Sequence, residues 1–298
     1  MTTNDVKKRA AFVFAGGGSL GAVQVGMLKA LVDHGIKADF VVGASVGAIN
    51  SAYYAGRPDA DGVAELRRIW LAIRKEDVFP VSLRTTLTSI VRHRNYLVDP
   101  SGLERLISSR LPFKDFKDAA LPCHVVATDI YNGYDITFSD GDAHKAILAS
   151  ASIPSVFPAV QYDDRYLVDG GVASNTPVSA AVALGATRVI VMPTGFSCSI
   201  SEPPRTIVAT ALHALNLMIM KQLVRDSEFS SAKAQIVVVP PLCPVEVTPY
   251  DFSQTASLIE RAERSTAEWL AKGGLQSEDI PHTLHPHHDG DEDDYPHS

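Results

Sequence analysis

Along this chain, short β-branched runs alternate with segments of helical period, and that alternation narrows the fold more than any other feature. Strand candidates are Ala11–Gly16, Phe40–Ala44, His124–Asp129, Tyr134–Ser139, Arg165–Asp169, Arg188–Pro193 and Gln235–Val239. Helical patterns occupy the gaps: Leu20–His34, Val46–Ala55, Val63–Arg74, Pro100–Arg110, Ala143–Ala151, Pro177–Leu184, Arg205–Val224 and Ser253–Ala271. Such alternation predicts an α/β fold, a parallel sheet flanked by helices. Asn175 is placed to cap the helix that opens at Pro177. Val78–Asp99 lacks a period and reads as a loop or cap over one face.

Composition sets the class. With 298 residues, 46% hydrophobic and 20% charged, the chain reads as an ordinary globular protein able to bury a sizeable core. Its net charge of −7 is unevenly placed: the stretch from Pro281 onward holds five acids, no Lys or Arg, and half of the ten histidines. The rest carries 29 acids against 27 bases, a balance that speaks against nucleic-acid binding. The expected organisation is a flexible N-terminus over 1–10, one domain over 11–275, and a disordered acidic, His-rich tail over 281–298. Cys123, Cys198 and Cys243 form an odd, widely spaced set without metal-ligand spacing, which points to a reducing compartment and to no metal site. No run approaches the roughly 18 apolar residues of a membrane span, and Ala11–Ala15 is too short for a signal-peptide core, so the expectation is cytoplasmic. Arg67–Arg94 holds seven bases against two acids. That stretch is either a solvated helix face with its loop or a peripheral contact for anionic membrane.

Two glycine turns carry chemistry. Gly16-Gly17-Gly18-Ser19-Leu20-Gly21 follows the first strand and exposes N–H groups where a helix begins, an anion-binding device. Read as a dinucleotide loop it would need an acid at the end of the second strand. Asp39 precedes that strand instead, and the strand ends in Gly43-Ala44-Ser45-Val46-Gly47. A strand, then G-x-S-x-G, then a helix is the setting of a nucleophile elbow, with Gly43 and Gly47 clearing space around an exposed Ser45 Oγ. The N–H groups of Gly17, Gly18 and Val46 would converge on one oxygen. A serine needs a base, yet His34, His93, His124, His144 and His213 mostly lie inside predicted elements. Asp169, at a strand end before Gly170 and Gly171, is the better candidate; the plain alternative for it is an Asp-Gly turn.

Taken together, GGGSLG, GASVG and the distant DGG resemble the patatin-like phospholipase family, as do Ser150–Pro158 and Asp169–Pro177. The similarity runs from about Ala11 to Pro193. It implies a three-layer α/β/α sandwich with a mostly parallel sheet, and a lipid acyl hydrolase without cofactor. By position, Ser45 becomes the nucleophile and Asp169 the general base, with Gly16, Gly17 and Gly18 as the oxyanion loop. The expected partner is an acyl-lipid or other ester substrate. One departure stands out: the family usually places Arg or Lys where this chain has Leu20. Two other readings remain open, a catalytically silent domain of the same type and a dinucleotide-binding oxidoreductase.

Overall fold

Strand β1 (Ala10–Phe14) is buried from Ala11 to Phe14, so it must lie inside a sheet covered on both faces. In the computed structural model, which describes residues 8–79, 96–194, 203, 207–243, 245 and 247–276, β1 occupies the centre. It pairs in parallel with β2 (Phe40–Ala44) on one side and with β7 (Arg188–Met192) on the other; Phe14 faces Gly43 and Met192. Beyond these, β3 (Cys123–Asp129) runs parallel to β2, and β8 (Gln235–Val238) parallel to β7.

Side chains alternate across a strand, and here the alternation separates two cores. Phe12 and Phe14 pack with helices α1 (Gly21–Asp33), α2 (Val46–Gly56), α3 (Ala60–Ala72), α5 (Ser101–Arg110), α6 (Ala143–Ser150) and α10 (Thr255–Ala271). Ala11 and Val13 pack on the opposite face with α8 (Val178–Ala183) and α9 (Ile207–Ser231). The result is the expected three layers around a mostly parallel sheet.

The sheet order is β5-β6-β3-β2-β1-β7-β8, with β4 also on β3. Strands β4 (Asp135–Phe138), β5 (Val160–Tyr162) and β6 (Arg165–Val168) pair antiparallel. Partners along β3 decide what this edge does. Val126 faces Ala44 of β2 and Thr137 of β4, while Thr128 faces Val168 of β6 and Asp135 of β4. Because β4 holds one flank of β3, β2 and β6 share the other and run toward each other. One stops opposite Val126 and the other opposite Thr128. The residues that follow them, Ser45 and Asp169, are brought together by that register.

Some sequence expectations need correction. Asn175 does not cap α8: Pro177 takes that position without a side-chain bond, and the Asn175 amide turns to the glycine loop. Strand β5 and the one-turn helices α4 (Lys75–Val78) and α7 (Gly171–Ser174) are additions too short for a periodic signal. Cys123 is a buried free thiol, its pKa pushed up to about 12 by burial, but Cys243 is disulfide-bonded. The disulfide at Cys243 runs against the expectation, drawn from an odd and widely spaced set, that the cysteines stay reduced. Of the basic stretch, Arg67 pairs with Glu260 at 3.5 Å and Arg68 pairs with Glu65; Arg84, Arg92 and Arg94 lie outside the described residues. So do Cys198, the first seven residues, most of Val78–Asp99 and the 281–298 tail. Among the described residues no helix is long and apolar enough to cross a membrane.

Candidate active site

Ser45 is the hinge between β2 and α2, with φ 55 and ψ −128, a conformation that costs a non-glycine residue about 1–3 kcal/mol. Its neighbours explain how the turn is tolerated. A Cβ on Gly43 would sit 2.3 Å from the Gly47 carbonyl oxygen, and one on Gly47 would sit 2.2 Å from that of Phe14. The obstacles are backbone and cannot swing away. Gly47→Ala is therefore expected to destabilise the fold by roughly 3 kcal/mol, and an unchanged midpoint in urea denaturation would contradict this packing.

The Ser45 hydroxyl donates to Asp169 Oδ2 at 2.7 Å, and the Gly171 N–H donates to Asp169 Oδ1 at 2.7 Å. Both side chains are buried, at 7% and 5% exposure. Burial raises the Asp169 pKa from 3.8 to about 6, against the two hydrogen bonds that favour the carboxylate. Hence the sequence-predicted pair does meet.

Ser150–Ser152, at the end of α6, ties the two loops to one another. Ser150 Oγ accepts the Ser45 N–H at 2.9 Å and donates to the Val126 carbonyl. The Ser150 carbonyl accepts from Gly170 N–H at 3.0 Å, and the Ser152 carbonyl from Asp169 N–H at 2.9 Å. Gly170 itself lies against β3, where a Cβ would meet the Val126 oxygen at 2.1 Å. Thr128 Oγ1 adds a bond to the Asp169 carbonyl at 2.8 Å.

The glycine loop is held from several directions. Gly16 N–H donates to the Asn175 carbonyl at 2.9 Å, while its own carbonyl accepts from Thr194 Oγ1 at 2.6 Å. Ser19 N–H is taken by the Pro249 carbonyl at 2.8 Å. Among the described residues, the N–H groups of Gly17, Gly18 and Val46 donate to no protein acceptor. These three N–H groups are unengaged, whereas that of Gly16 is held by Asn175. Leu20 packs in the larger core with Val46 and Trp70, where a cation would have been buried in apolar surroundings. Asp39 bonds Ala10 N–H at 2.7 Å, at the opposite end of the strands from the glycine loop. It cannot serve a dinucleotide bound there.

Ser45 opens into an apolar cleft of about 840 Å³, including its mouth. The cleft follows α2 from Ser45 to Tyr53, about 12 Å at helical rise. Ile49, Leu66, Ile69, Leu103 and Ile107 line its length, and Phe79, Phe157 and Phe252 stand among its other walls. The lining is of the kind that accepts an apolar group.

Sequence reasoning missed the buried amides beneath the loop. Trp70 Nε1 donates to Asn50 Oδ1 at 2.8 Å, Asn50 Nδ2 to Gln24 Oε1 at 2.8 Å, and Gln24 Nε2 to the Ala15 and Met192 carbonyls at 2.8 and 3.0 Å. Gln24 and Asn50 are fully buried. The available signal was two amides interrupting otherwise apolar helical patterns.

The chain is similar to known proteins in sequence and in fold. Patatin-like phospholipase domain-containing protein 6 from Homo sapiens is 30% identical over 188 residues, covering 62% of this chain and 13% of that protein. Patatin-like phospholipase domain-containing protein 7 from Rattus norvegicus is 29% identical over 187 residues, with 62% and 13% covered. The matched part thus spans about an eighth of these relatives. The structure of human GIVD cytosolic phospholipase A2 superposes with a TM-score of 0.51 at 13% identity, covering 93% of this chain and 60% of that one. It supports the fold alone. The sequence model for patatin-like phospholipase matches residues 12–182, more than half of the chain, so the chain belongs to the patatin-like phospholipase family.

Proposed function

We propose that this chain hydrolyses carboxylic esters of acyl lipids through an acyl-serine intermediate. The observation that carries the reading is the 2.7 Å hydrogen bond between Ser45 Oγ and Asp169 Oδ2 at the head of an apolar cleft. Asp169 takes the hydroxyl proton as Oγ attacks the ester carbonyl carbon. The oxyanion forms against the N–H groups of Gly17, Gly18 and Val46, each worth about 10²–10³ in rate if removed. Collapse expels the alcohol, which leaves with the proton held by Asp169. A water then gives its proton to Asp169 and attacks the acyl carbon, releasing the acid and restoring Ser45.

In this scheme the acyl chain lies along α2 and the alcohol leaves on the open side. Family membership supports the lipid class; the cleft supports an apolar acyl group. No step requires a cofactor. In this reading the protein acts at lipid as a peripheral enzyme.

The experiment is a series of p-nitrophenyl esters of increasing acyl length, followed across pH. Turnover should rise with chain length until the cleft is filled. Asp169 works as a base only when ionised, so kcat/KM should fall tenfold per unit as pH drops below about 6 and level off above it. A rate independent of pH between 4 and 8 would remove Asp169 from the role of base.

A further inference from the structure

Among the described residues, the exposed large apolar side chains are not scattered. Five of the nine fall in two short segments beside the site: Ile130, Tyr131, Tyr134, Tyr166 and Val172. Tyr131 and Tyr134 are 76% and 70% exposed, far beyond what a core-facing ring would leave to water. They form one patch. Ile130 N–H donates to the Tyr166 carbonyl at 3.0 Å, and the Tyr131 and Tyr166 rings meet edge to face at 6.2 Å. Asp129 N–H holds the Tyr134 carbonyl at 3.0 Å. Thr128 Oγ1 bonds both the Asp169 carbonyl and the Ala173 N–H, which ties Val172 to the same end of β3 as Ser45 and Asp169.

Charge narrows the choice of occupant. Within 129–135 and 163–172 there are five aspartates and one base, Arg165, which pairs with Asp129 at 3.1 Å. Asp135, Asp163 and Asp164 are exposed. An anionic surface would be repelled here. A surface that presents quaternary ammonium groups is attracted by the carboxylates and by tyrosine faces, and tyrosine rings suit the polar–apolar boundary of a bilayer.

We infer that Ile130, Tyr131, Tyr134, Tyr166 and Val172 form a docking surface for a zwitterionic, phosphocholine-headed lipid interface, next to the reaction centre. The inference rests on the ester-hydrolase reading, and its test keeps the two apart. The full chain is sedimented with phosphatidylcholine vesicles and with vesicles also containing phosphatidylserine, while hydrolysis of soluble p-nitrophenyl butyrate is measured separately. The wild type should bind phosphatidylcholine vesicles without needing the anionic lipid. The double variant Tyr131→Ser/Tyr134→Ser should bind about tenfold more weakly, through the apolar area lost, and lose vesicle-substrate turnover in step. Its butyrate turnover and circular dichroism should match the wild type. Undiminished binding by the double variant overturns the inference. So does binding that requires phosphatidylserine, which would transfer the contact to the basic stretch, or a wild-type dimer that these substitutions dissolve. A wild type inert toward butyrate but still binding vesicles through the tyrosines would instead defeat the hydrolase reading.

Discussion

Ser45→Ala is expected to remove ester turnover, by roughly 10⁴–10⁶ in kcat, because in the proposed scheme its Oγ carries the acyl group. Two of the described histidines are engaged elsewhere. His124 sits between strands with Nδ1 against Ser139 Oγ at 2.7 Å, and burial pulls its pKa down to about 4. His34 is bonded to the Ala30 carbonyl at 2.8 Å, at the end of α1. The fold should survive, since alanine keeps the Ser45 N–H bond to Ser150 and adds no atom to the crowded elbow. Matching circular dichroism with residual turnover near zero would separate a lost nucleophile from a collapsed site. Full turnover in the variant would remove Ser45 from the role of nucleophile.

Asp169→Asn should cost about 10³–10⁴ in kcat, by analogy with base-supporting carboxylates elsewhere, yet stabilise the protein at neutral pH. The two effects share one cause. Burial raises the folded pKa of Asp169 from 3.8 to about 6, so the fold prefers the protonated form. Below about pH 3.8 the carboxyl is protonated folded and unfolded, and no penalty exists. As pH rises from 3.8 through 6, the unfolded chain ionises more readily and stability is lost. Above pH 6 the loss is complete, at roughly 3 kcal/mol as an upper bound. Asparagine escapes this penalty and can keep the Gly171 bond through its carbonyl oxygen. Urea denaturation should therefore show the variant gaining on the wild type between pH 4 and pH 8. A stability difference independent of pH would contradict an ionised buried Asp169.

Much of this was legible in the sequence, for reasons that differ by residue. Ser45 was readable because its neighbours must be small: Gly43 and Gly47 are fixed by backbone carbonyls about 2 Å from where a side chain would begin. Asp169 was readable only as a strand-end carboxylate followed by two glycines. What joins it to Ser45 is the antiparallel arrival of β6 on the flank of β3 it shares with β2, beyond the point where β2 stops, and register of that kind has no local signal. Asn175 looked like a helix cap because cap chemistry and loop-bracing chemistry use the same side chain. Gly16 belonged to the expected oxyanion loop, but its N–H is committed to the Asn175 carbonyl, a partner 159 residues away. The cleft was hidden for a different reason. Ile49, Leu66, Ile69 and Leu103 follow the apolar spacing of buried helix faces, and spacing alone does not distinguish a face that packs from one that bounds a cavity.

Covalent labelling tests the Ser45–Asp169 centre most directly. An alkyl fluorophosphonate offers phosphorus to the activated hydroxyl and loses fluoride as the Oγ–P bond forms. One equivalent should attach to the wild type, on the peptide containing Ser45, and Asp169→Asn should slow that attachment by orders of magnitude. Phosphonylation of a different serine, or of Ser45 at the same rate without the Asp169 carboxylate, would contradict a nucleophile activated by this dyad.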